Sequence, residues 1–136
     1  MLLDTNIVIK HIRSKTTPHT PAFLSIVSVG ELEAFALKAD WGYQKLNILS
    51  EILSKIPIID INQGITKTYA IVDAYSQGLL KHQPLPVGLS ARNMGKNDIW
   101  IAATALFYDL ELHSTDNDFD HLRAVGLQLI KNNTVD

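Results

Sequence analysis

Apolar positions follow two rhythms along the chain. Short runs of strand length occur at 1–4, 22–27, 58–61, 111–115 and 128–130, and β-branched residues favour that reading at Ile26-Val27 and Ile58-Ile59. Elsewhere apolar residues recur every three or four positions, as in Trp41, Leu46, Leu49, Ile52, Leu53 and Ile56, or Ile65, Tyr69 and Val72. That spacing predicts helices over 6–13, 28–38, 41–56, 65–78 and 116–125. Ser28-Val29-Gly30-Glu31 has capping-box spacing and predicts a helix start at Ser28. Ile99–Leu110 is too long and too alanine-rich for a strand, so it predicts a buried helix opened by Asp98. Two prolines mark a loop over 14–21, and Pro84, Pro86, Gly88 and Gly95 mark a longer one over 81–97. A loop of that length in a compact domain is usually functional or mobile. Alternating strands and helices predict an α/β fold with a parallel sheet covered on both faces. With no internal repeat in 136 residues, one domain over 1–136 is expected.

Composition narrows the chemistry. Apolar residues make up 46% and charged residues 19%, which is globular rather than disordered. A net charge of −2 excludes an overall basic nucleic-acid coat but leaves room for a local basic patch. The absence of cysteine excludes disulfides, zinc-thiolate sites and a cysteine nucleophile. No apolar run has the length of a membrane span and no basic segment precedes an apolar one at the start, so a cytoplasmic protein is expected, with no membrane partner.

In open parallel sheets, ligands bind outside the carboxyl ends of the strands. Asp4 ends the first predicted strand, Glu31 begins the helix after the second, Asp98 opens the buried helix, and Asp116 ends the 111–115 strand with Asp118 two residues on. Singly, each is explained by helix capping or by the positive end of a helix. Together they place carboxylates from four segments at one sheet edge, where they repel and resist burial. A hard cation, Mg²⁺ or Mn²⁺, removes that penalty with oxygen ligands; without cysteine or paired histidines, zinc is the weaker choice. Asn6 and Thr115 stand beside acids and are candidate hydrogen-bond supports, a role that turn and cap chemistry explains equally well. Glu33 lies about 200° around the helix from Glu31 and is excluded. Trp41, Trp100 and Phe107 read as core residues, Phe119 as the anchor of the helix after Asp116.

Four stretches carry a resemblance: Leu2-Leu3-Asp4-Thr5-Asn6, Ser28–Glu31-Leu32, Asn97-Asp98-Ile99-Trp100-Ile101-Ala102-Ala103-Thr104-Ala105, and Ser114-Thr115-Asp116-Asn117-Asp118-Phe119. In this order they resemble the PIN domain, especially VapC-type toxins. The resemblance implies a three-layer α/β/α sandwich with a central five-stranded parallel sheet. It implies Mg²⁺- or Mn²⁺-dependent endoribonuclease activity, an antitoxin partner and a homodimer. Asp4, Glu31, Asp98 and Asp116 match the family's acidic positions, and Asp118 is a further acid; whether Asp116 or Asp118 touches metal stays open. Glu33-Ala34-Phe35, which lacks the small residue that the resemblance leads one to expect there, and the length of 82–97 depart from the family pattern.

An RNA substrate would give Lys10, Arg13, Arg92 and Lys96, which flank the acidic motifs, phosphates to contact. Hydrolysis by an activated water is expected to leave a 5′-phosphate. A haloacid-dehalogenase-type phosphatase needs a second aspartate where Asn6 stands, which disfavours it. The alternative reading is a non-catalytic PIN-like scaffold that binds RNA or protein.

Overall fold

The computed structural model describes residues 1–132, and the last four residues of the expected domain lie outside it. β1 (Leu2–Leu3) runs into Asp4, whose carboxylate accepts from Thr5 N and caps α1 (Thr5–Ser14). α1 stops where Lys15 turns left-handed at φ 57°. β2 (Leu24–Ser25) is followed directly by α2 (Ile26–Lys38), because Ser25 Oγ accepts from Val27 N. The helix therefore starts at Ile26, earlier than the capping-box spacing predicts. Ser28 is buried inside it, and Glu31 sits in its second turn. α3 (Tyr43–Lys55) ends just before Pro57, and β3 (Ile58–Ile59) follows. A short 3-10 turn (Gln63–Ile65) leads into α4 (Thr66–Ser76).

Residues 77–95 hold no regular element, matching the long predicted loop. Next come α5 (Lys96–Phe107), β4 (Leu112–Ser114) and β5 (Leu129–Lys131). Between β4 and β5, Asn117–Val125 is a 3-10 helix rather than an α-helix, capped by Asp116 and ended by Gly126 at φ 100°. Its buried Phe119 and Leu122 are three apart, and a three-residue turn stacks them on one face.

All strand pairs are parallel, but the ladder divides. β1, β4 and β5 form a three-stranded sheet in the order β1-β4-β5, and β2 pairs with β3 separately. A single bridge, Leu2 to Phe23, joins the two. This corrects the expected single five-stranded sheet. Just before β2, Phe23 accepts Leu3 N (3.0 Å) and donates its N–H to Met1 O (2.8 Å), after which both segments turn into helices.

Successive strand residues point to opposite faces, and β1 feeds a core on each. Leu2 packs with Tyr75, Ile101, Leu112 and Phe119 beside α4, α5 and the 3-10 helix. Leu3 packs with Ile7, Leu24, Leu32 and Ile52 beside α1, α2 and α3. Helices thus cover both faces, and the carboxyl ends of β1 and β4 open together at one edge. No helix of the described residues is long and apolar enough to cross a membrane.

Candidate metal centre

The parallel register Leu3–His113 brings the residues after β1 and at the end of β4 side by side. Ser114, fully buried, donates its hydroxyl to Asp4 Oδ2 at 2.7 Å and accepts Asp116 N at 2.9 Å. Asp4 Oδ1 accepts Thr5 N at 2.8 Å. Asp4 is 4% exposed. Burial raises its carboxyl above the ordinary range; the hydrogen bonds from Ser114 and Thr5 pull it back, and Glu31 and Asp116 push it further up.

Gly95 precedes α5 and places Asp98 in that helix's first turn. Asp98 is pushed up to about 7, first by burial and then by repulsion from Asp4, Asp116, Glu31 and Asp118. Carboxylate oxygens of Asp98, Asp116 and Asp118 all lie within 4.8 Å of one another. Asp116 Oδ1 also accepts Asp118 N at 2.9 Å. Glu31 is held at both ends, with Thr5 Oγ1 donating to Oε1 at 2.6 Å and Asn97 Nδ2 donating to Oε2 at 3.3 Å. α1, α5 and the 3-10 helix begin at these acids, and their positive ends offset part of the repulsion.

Asp4, Glu31, Asp98 and Asp116 line one open cleft of about 660 Å³. Asp118 joins them at its exposed rim. Asn6 lines the same cleft, and its Oδ1 is buried with no partner among the described residues. The hydroxyls that reach acids include those of Ser114, on Asp4, and Thr5, on Glu31. Glu33 faces a separate depression with Trp41 and Leu46. Arg92 donates to the Asn117 carbonyl at 3.2 Å, beside Asp118, and Lys96 is exposed at the start of α5. On α1, Lys10 is half-buried, while Arg13 stands 5.6 Å over the Phe35 ring, away from the acids.

Sequence reasoning passed over Thr5, Asn97 and Ser114, although each lies within two residues of an acid in the motifs. The donor set, all oxygen and crowded with partly buried carboxylates, fits a hard divalent cation. Without such an ion, stability should fall as pH rises. The folded carboxyl of Asp98 at about 7 lies above its ordinary 3.8, so the folded state holds the proton longer. The favourable contribution is complete below about 4 and is lost between about 4 and 7. Asp4 shifts in the same direction. Melting temperatures in EDTA across that range check this; a rising or flat profile counts against the arrangement.

The fold and the site define a class, a parallel α/β protein with clustered carboxylates at the carboxyl ends of its strands. The sequence matches the family model of the PIN domain over residues 1–125, and the chain belongs to that family. PIN domains are generally nucleases. No curated protein matches the sequence. Among solved structures, a chain of VapBC2 from Rickettsia felis, bound to a DNA fragment from its promoter, is similar, at 22% identity and a TM-score of 0.70, with 96% of each chain covered. FitAcB from Neisseria gonorrhoeae matches with the same identity, coverage and score. VapBC-5 from Mycobacterium tuberculosis, of the VapBC toxin-antitoxin family, is 21% identical with a TM-score of 0.65, covering 96% of this chain and 94% of that one. These likenesses are to the fold.

Proposed function

We propose that the chain, 1–136, is a single PIN domain acting as an Mg²⁺- or Mn²⁺-dependent endoribonuclease, the toxin of a type II toxin–antitoxin pair. The observation that carries the reading is the trio Asp98, Asp116 and Asp118, with oxygens within 4.8 Å, in one cluster with Asp4 and Glu31. Likeness to toxin–antitoxin chains supports the toxin part and the antitoxin partner. A homodimer, as the resemblance implies, and the cytoplasm, as the sequence pattern leads one to expect, complete the reading.

Asp98, Asp116 and Asp118 would hold the ion together with Asp4. When bound, the ion supplies a Lewis acid for the phosphate and lowers the pKa of a water. Asp4 is oriented by Ser114 and Thr5, so its charge stays aimed at the cluster without a side-chain rearrangement. Glu31, fixed by Thr5 and Asn97, faces the cleft as the group that orients the attacking water or adds a ligand. Arg92, near Asp118, and Lys96, near Asp98, would meet RNA phosphates, as would Lys10 and Arg13 on α1.

The test is a labelled single-stranded RNA incubated with the purified chain in Mn²⁺, Mg²⁺ or EDTA. Products ending in 5′-phosphate, formed with either ion and not in EDTA, are expected. Cleavage that persists in EDTA, or leaves cyclic phosphates, contradicts the reading. RNA bound tightly but never cut favours the scaffold alternative.

A further inference from the structure

The cleft continues past the acids, and its far end has a different chemistry. Two of its walls are α1, which Asp4 caps, and α2, which carries Glu31 in its second turn. On α2, Glu31, Ala34, Phe35 and Lys38 line the cleft at i, i+3, i+4 and i+7, one stripe of one face. On α1, Thr5 and Ile9 line it one turn apart, and Arg13 follows a turn later, over the Phe35 ring. Phe35 is half-buried, held edge-on by Trp41 at 5.5 Å, packed in part against the core, and lines the cleft. Arg13 and Lys38 are exposed. With a rise of about 1.5 Å per residue, Phe35 lies about 6 Å and Lys38 about 10 Å beyond Glu31 along the helix.

Resting on the nuclease reading above, we infer that Phe35, Arg13 and Lys38 form a nucleotide subsite adjoining the acids: Phe35 stacks the base next to the scissile phosphate, and Arg13 and Lys38 take the phosphate beyond it. An aromatic ring beside two cations is the combination that binds single-stranded nucleic acid without reading its sequence. The acids repel a phosphate that carries no ion, so the affinity for the chain must come from a neighbouring place of opposite charge. The last turns of these two helices, which carry Arg13 and Lys38, provide it. Arg13 leaves the ring when the base arrives and keeps a partner in the phosphate.

The subsite is tested by binding a fluorescent single-stranded RNA in Ca²⁺ to the full chain and its variants, using intact RNA and RNA with one abasic position scanned along it. Phe35→Leu should weaken intact RNA about 10-fold, since stacking contributes about 1–3 kcal/mol per base. Phe35→Tyr should restore binding. At one position the abasic change should cost the wild type the same factor and cost Phe35→Leu nothing further. Arg13→Gln and Lys38→Gln should each flatten the salt dependence by about 0.7, and Phe35→Leu should leave it unchanged. Additive losses at every abasic position overturn the subsite, as does wild type that binds no RNA. Phe35→Leu that binds RNA normally but loses a protein partner also overturns it, and reassigns the surface to protein. Failure of the nuclease reading looks different: the abasic coupling holds, but no Mg²⁺- or Mn²⁺-dependent cleavage occurs.

Discussion

Asp98→Asn should remove activity and yet stabilise the metal-free protein. The carboxylate sits in the first turn of α5 among Asp4, Asp116, Glu31 and Asp118, which together with burial raise it to about 7. An amide has nearly the same shape, carries no charge and is a poor ligand for a hard cation. Losing one charged group aimed at the reacting phosphate lowers turnover by about 100-fold or more. In EDTA above pH 7 the wild type carries the whole penalty of an ionised Asp98, and the variant carries none. The variant should therefore melt higher at pH 8, and the difference should close below about pH 3, where Asp98 is protonated in both the folded and unfolded states of the wild type. Equal melting at both pH values would show that Asp98 is not held against its neighbours.

Ser114→Ala should act in the opposite direction on stability. Among the described residues the hydroxyl is the one side-chain donor to Asp4, at 2.7 Å, and it also accepts Asp116 N at 2.9 Å. Removing it strands a buried carboxylate oxygen and a backbone N–H, a loss of about 1–3 kcal/mol. Because the same hydroxyl orients Asp4 and the turn that carries Asp116, metal affinity should fall about 10–100-fold. Urea unfolding in EDTA reads the first effect and Mn²⁺ titration the second. Lost stability with unchanged metal affinity would make Ser114 a core residue only.

Much of this arrangement is legible in the sequence for physical reasons. Asp4 directly follows apolar strand residues, Asp116 closes the predicted 111–115 strand, and Asp98 opens a run that only a buried helix can hold, so the edge they share follows from a parallel sheet. Other features depend on packing that no local pattern carries. Ile26 and Val27 are β-branched and read as strand, but Ser25 caps a helix through them, which moves Glu31 a turn inward. The sheet divides because strands of two or three residues leave β1 and β2 a single bridge. Ser114 and Thr115 are both hydroxyl residues beside an acid, and strand alternation lets only one share the face of Asp4. Phe35 is an apolar residue on a helix until the cleft shows which neighbours it has.

The central claim is that these acids hold a divalent ion in order to cut RNA. The most direct measurement is a Mn²⁺ binding titration of wild type and Asp98→Asn at pH 8, with RNA cleavage followed in the same samples. Saturable binding whose occupancy tracks the cleavage rate in the wild type, with both lost in Asp98→Asn, is the predicted result. Equal binding by the two proteins, or cleavage that does not follow occupancy, would contradict it.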